Sequence, residues 1–115
     1  MSESGADEVA VSIAKEIARK ALEGDYDILL ACRDISDLRN RLPTIPDWTM
    51  DPLIGVASEV DNLPLGNERQ HWAADALRLK DQQAAAYRNS VAAVVRQALQ
   101  ELLTTLERTP QRLGS

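Results

Sequence analysis

The chain contains one cysteine, one histidine, no phenylalanine and only four aromatic residues, two Trp and two Tyr, and each shortage argues against a class of function. A lone Cys32 cannot close an intramolecular disulfide, and a single imidazole, His71, gives neither a Cys-x-x-Cys nor a His-x-x-x-His spacing, so nothing points to zinc. No Gly-x-Ser-x-Gly elbow accompanies His71, which argues against a serine triad. The five glycines are scattered and form no phosphate-cradling loop or dinucleotide fingerprint. No apolar run exceeds about five residues, far below the ~20 that cross a bilayer. The polar, acidic start Ser2 to Glu8 lacks the basic and apolar segments of a signal peptide, and together with the single thiol this predicts a cytoplasmic protein.

What is present points to helices. At 115 residues the chain makes one domain, able to bury roughly two-thirds of the surface its unfolded form exposes, with frayed ends at 1–5 and 109–115. Hydrophobic residues make up 44% of it while aromatics supply 3%. That balance, rich in Ala and Leu, favours close-packed helices over sheets. The expectation is an all-α fold, a compact bundle of about four helices with a long C-terminal helix.

Periodicity sets the elements. Ala6, Val9, Ala10, Ile13, Ala14, Ile17 and Ala21 share one arc of a helix that stops at Gly24. Asp25 or Asp27 caps a second helix whose core face reads Ile28, Ala31, Cys32, Ile35, Leu38 and Leu42 before Pro43 ends it. Tyr26 and Leu30 fall on its outer side and are expected to pack locally. Asp51-Pro52 reads as the N-cap and first position of a third helix lined by Leu53, Val56, Ala57 and Val60. The preceding loop carries Trp48, expected to fold back as a lid on the core. From Ala73 to Arg108, Leu77, Ala84, Tyr87, Val91, Val94, Val95, Ala98, Leu102 and Leu106 share an arc of roughly 120°. Such a helix is about 50 Å long, so it outruns its neighbours or bends.

Charge is uneven. Residues 1–70 hold 14 acids and 7 bases, whereas residues 71–115 hold 4 and 6, within an overall net charge of −5. Such a chain is a poor binder of nucleic acid, because affinity there comes from Lys and Arg displacing counterions. A basic protein is the partner it would attract.

Three fragments belong together: Ala31-Cys32-Arg33 with Leu38-Arg39-Asn40-Arg41-Leu42-Pro43; Asp61-Asn62-Leu63-Pro64-Leu65-Gly66 with Arg69 and Trp72; and Ala76-Leu77 with Lys80-Asp81. They resemble a family of small bacterial all-helical proteins of unknown function with an Asp-x-Leu-Pro-x-Gly-x-x-Arg-x-x-Trp core. Where that group shows a His before the Leu-Pro, this chain has Asn62. The resemblance implies a fold signature and transfers no functional residues.

Three functional readings follow. The leading expectation is a non-catalytic protein-binding module, of the immunity or antitoxin-inhibitor type, that captures a basic partner such as a nuclease toxin through Asp34, Asp37, Asp47, Trp48, Glu59 and Asp61. No cofactor or metal is implied. A second is self-association through the C-terminal helix, with Leu99, Leu103 and Leu106 in the interface. Less favoured is a ligand-binding or enzymatic corner built from Glu59, Asp61, Arg69, His71 and Asp81, including an all-carboxylate variant with Glu68.

Overall fold

The computed structural model describes residues 7–61 and 73–108. Four α-helices account for most of them: α1 Glu8–Glu23, α2 Ile28–Leu38, α3 Asp47–Glu59 and α4 Ala74–Arg108, with a single 3-10 turn, Arg39–Arg41, after α2. Among the described residues there is no strand.

The ends are set by local chemistry. Asp7, in extended backbone, accepts from the amides of Val9 and Ala10 and so caps the free first-turn donors of α1. Gly24 closes that helix at φ 90°, a left-handed conformation that costs glycine nothing, while its amide and that of Asp25 reach back to Ala21 and Lys20. Asp27 caps α2 through the amide of Leu29. At the other end of α2, Arg39 bonds both the carbonyl and the hydroxyl of Ser36.

Contacts along α4 fix the directions. Thr49 near the start of α3 bonds Glu101, whereas the charge of Glu59 at its end is felt by Tyr87. Asp27 at the start of α2 pairs with Arg88. Arg96 and Glu107 meet Leu22 and Arg19 of α1, and the amide of Asp7 bonds the carbonyl of Arg41. The helices therefore alternate in direction around a ring, α1 to α2 to α3 to α4 and back to α1. Contact across one diagonal joins α2 to α4, while α1 and α3 share little. This is the up-down-up-down four-helix arrangement that short connections favour.

One core fills the ring. Ala10, Ala14, Ala18 and Ala21 of α1 are buried against a bundle whose largest enclosed side chains include Leu29, Ile35, Leu53, Leu99, Leu102 and Leu106. The α1 and α4 pair thus sets small residues against large ones. α4, at 35 residues, is about 52 Å long and sets the 54 Å long axis of the molecule. Its partners have 11 to 16 residues, so it outruns them toward its N-terminus and continues as one helix through 81–86.

Several expectations change. Leu99 and Leu106 are fully enclosed in the chain's own core, so neither is left to form a dimer interface on α4, and Leu103 is half-buried against that core. The reason is the ring itself, in which α1 and α3 cover both flanks of that leucine stripe. Val94, placed on the core arc, is 49% exposed, and Leu99 takes the inward position. On α1 the buried arc runs through Ala10, Val11, Ala14, Ile17, Ala18 and Ala21, which leaves Val9 and Ile13 outside at 62% and 42% exposure. α2 ends at Leu38, with Leu42 reached through the 3-10 turn, and Leu29 joins its buried face. Tyr26 and Leu30, expected on the outer side, are half-buried against the core.

The start of α3 is the most consequential shift. The helix begins at Asp47, with Pro46 in extended backbone offering its carbonyl to the amides of Thr49 and Met50. Pro52 then lies inside the helix, where it has no N–H to offer the carbonyl of Trp48. Because Thr49, Met50, Leu53 and Val56 take the inward positions, Trp48 is turned out and cannot act as a lid. It is 74% exposed.

A prediction arises at the α1 cap. Arg41 donates two bonds to the Asp7 carboxylate, at 2.6 and 3.0 Å, and holds its pKa below the ordinary value of 3.8. A depressed carboxylate pKa contributes stability that is present above the unfolded value and lost as pH falls through the folded one. Arg41→Ala is expected to move Asp7 up toward the ordinary value in an NMR pH titration. An unchanged titration would show that the pair is not formed in solution.

Candidate functional site

The solvent side of α3 gathers four of the six residues singled out from the sequence. At 100° per residue, Asp47, Trp48, Asp51, Gly55, Ser58 and Glu59 fall on one arc, and all six are exposed. Asp61 follows just beyond the helix and is exposed as well. Asp47, Asp51, Glu59 and Asp61 have no ion pair among the described residues, and the arc contains no Lys or Arg. Asp51 was missed as a member because its Asp-Pro context reads as a cap. With the helix starting at Asp47, it becomes the i+4 neighbour of that residue on the same face. From Asp47 to Glu59 the acids span about 18 Å at 1.5 Å per residue.

Trp48 is held by what lies beside it. Thr49, 1% exposed, donates its hydroxyl to Glu101 at 3.1 Å, and the other carboxylate oxygen of Glu101 accepts from Gln97 at 3.2 Å. The first turn of α3 is thereby fastened to α4, so the exposed indole stands on a fixed base. On its far side an open groove of about 1220 Å³ runs between Pro46 and Trp48 and the outer face of α4, bordered there by Gln97, Gln100, Thr104 and Arg108. The indole is the ridge between an acidic helix face and a polar groove.

The remaining two candidates lie elsewhere. Asp34 accepts a hydrogen bond from the Tyr26 phenol, which itself borders a small groove with α1, so Asp34 belongs to the α1 side of α2. Burial, and then this carboxylate, push the Tyr26 phenol up to about 12. Asp37 is exposed near the end of α2.

The polar corner is only partly in view. Glu59, Asp61 and Asp81 are exposed, while Asn62 through Trp72, including Glu68, Arg69 and His71, lie outside the described residues, as does the motif beyond Asp61. Near this end of the bundle, Arg88 grips both carboxylate oxygens of Asp27 at 2.9 and 3.0 Å. That bond is the main reason its pKa is raised. Both charges are thus spent on holding α4 to the start of α2. Among the described residues no group of three His, Cys, Asp or Glu side chains could hold a metal ion.

Cys32 is fully enclosed in the core. Burial, helped by the charge of Asp27, pushes its thiol up to about 12. The thiolate is the nucleophile, so this side chain behaves as a small hydrophobe. A water-soluble disulfide reagent is expected to leave it unmodified in the folded protein and to react stoichiometrically in denaturant. Fast modification of the native chain would contradict the burial.

The fold and this surface together define an α-helical bundle with an acidic, tryptophan-tipped helix face. No family model, curated protein or solved structure matches the chain. Among the described residues, no helix is long and apolar enough to cross a membrane.

Proposed function

We propose that the chain is a non-catalytic protein-binding module that presents the solvent face of α3 to a basic partner, in the manner of an immunity or antitoxin-type inhibitor. The observation that carries this reading is Trp48, 74% exposed on a fastened first turn and in line with Asp47, Asp51 and Glu59. Exposed tryptophans that are rigidly held anchor protein interfaces, since they bring a large contact area at little conformational cost. A row of unpaired carboxylates speeds encounter with a basic surface and discriminates against acidic ones. Gly55, with open space where a Cβ would stand, keeps the middle of the face flat enough for close approach.

The test is affinity capture from the native host with the wild-type chain and with a Asp47→Lys, Asp51→Lys, Glu59→Lys variant. A basic protein held by the wild type at low salt, released at high salt and absent from the variant eluate supports the reading. Equal recovery of the same protein by both baits would remove α3 as the docking face.

A further inference from the structure

We propose that the groove between the first turn of α3 and the outer face of α4 holds an extended peptide segment of another protein, with an acidic residue of that segment over Arg108. The groove measures about 1220 Å³ and follows α4 from Ala93 to Arg108. At 1.5 Å per residue that run is about 22 Å, the length of roughly seven residues of extended chain.

The two sides of the groove suit a peptide backbone. Gln100, Thr104 and Arg108 stand at i, i+4 and i+8 on α4, all exposed and none with a hydrogen bond or ion pair among the described residues. Their step of about 6 Å lies close to the roughly 6.7 Å between alternate residues of an extended chain, so each meets every second residue of the segment. The α3 side offers an acceptor. Pro52 has no N–H for the carbonyl of Trp48, and because position 52 lies about 40° around the helix from 48, that carbonyl opens on the side where the indole borders the groove. A backbone N–H of the segment can donate to it. The indole itself, 74% exposed, flanks the segment at that point.

Charge selects the segment. Arg96 and Arg108 against Glu101 leave the lining net positive, within a chain of net charge −5. Glu101 already accepts on both carboxylate oxygens, from Thr49 and Gln97, and Arg96 donates to the carbonyl of Leu22. Arg108 is therefore the open charge, and a carboxylate matches its guanidinium at two points. Two bases about 18 Å apart along α4 are too few for a phosphate backbone, and a lining of amides, hydroxyls and guanidinium groups gives an amphipathic helix no apolar seat. The site shares Trp48 with the α3 reading and otherwise stands on α4, so variants on α4 test it separately.

NMR titration of the isotope-labelled chain with a capped heptapeptide of alternating Thr and Glu, and with its Thr and Lys counterpart, reads the result. The Thr/Glu peptide is expected to shift the Gln100, Thr104 and Arg108 signals saturably, and the Thr/Lys peptide to leave them in place. Arg108→Glu is expected to weaken binding at least about tenfold with unchanged circular dichroism, since the side chain is exposed. Pro52→Ala restores an N–H for the Trp48 carbonyl and is expected to weaken binding roughly threefold to tenfold, the loss of one hydrogen bond, while helix content holds or rises. The Asp47→Lys, Asp51→Lys, Glu59→Lys variant is expected to bind the peptide at least as tightly as the wild type, so failure of the α3 face leaves this result standing. No saturable shift at the three α4 residues, equal shifts with both peptides, or an affinity indifferent to Arg108 or to Pro52 would each overturn the proposal.

Discussion

Leu102→Ala is expected to remove about 2 to 5 kcal/mol of folding stability, a large share of the roughly 5 to 15 kcal/mol typical of a whole domain. Leu102 is fully enclosed on α4, between Leu99 and Leu106, in the single core that all four helices share. Truncation there loses the transfer free energy of the removed carbons and leaves a cavity that rigid helices cannot close. The upper part of the range applies if α1 and α3 stay in place, the lower part if the alanine-lined α1 settles inward. Urea unfolding followed by circular dichroism measures the change. A loss below about 1 kcal/mol would mean that the leucine stripe is not the core. The same geometry makes polar replacement of Leu99 or Leu106 a folding lesion and not a means of separating subunits.

Asp27→Ala is expected to cost about 2 kcal/mol, from two roles that one carboxylate fills. It accepts the amide of Leu29 as the N-cap of α2, a bond whose loss typically costs about 1 kcal/mol. It also takes the bidentate grip of Arg88, and this half-buried, two-point pair adds on the order of 1 kcal/mol, above the median of exposed ion pairs. Arg88→Ala removes only the second contribution and is expected to cost about half as much. Asp27→Asn keeps a capping oxygen and loses only the ion pair, so it is expected to cost no more than Arg88→Ala. A double-mutant cycle on Asp27 and Arg88 isolates the pair. A coupling energy near zero would show that Asp27 acts as a cap alone.

Much of this fold was legible from spacing. The 3.6-residue rhythm located all four helices, Gly24 gave a stop that the structure keeps, and of the two caps open for α2, Asp25 and Asp27, the structure uses Asp27. The misplacements share one physical cause, since an apolar arc shows which residues can be buried but not which part of it the neighbours will cover. Val9 and Ile13 satisfied the rhythm of α1 while Val11 and Ala18 fell outside its arc, and packing against α2 and α4 buries the second pair and not the first. Val94 and Leu99 exchanged roles for the same reason. At α3 a strong local signal, Asp51 before Pro52, competed with Pro46, whose carbonyl starts the helix one turn earlier. That single turn carries Trp48 from lid to outward ridge.

The candidate surface was legible as a set of residue types and not as a set of positions. Asp47, Glu59 and Asp61, candidates from the acidity of the first half of the chain, are exposed, whereas Asp34 is turned toward α1 by Tyr26. Asp51 joined the face only once the helical phase was known. The buttress of Trp48, Thr49 on Glu101, links residues 52 positions apart, and no local pattern announces it.

Docking of a basic protein on α3 with Trp48 as its anchor is tested by the affinity of the captured partner for Trp48→Ala. Calorimetry at two salt concentrations, with circular dichroism to verify folding, gives the answer. Such docking predicts a loss of at least about 2 kcal/mol, roughly thirtyfold in Kd, together with wild-type affinity that falls steeply as salt rises. Unchanged affinity for Trp48→Ala and no dependence on salt would contradict it and leave α3 as an ordinary solvated face.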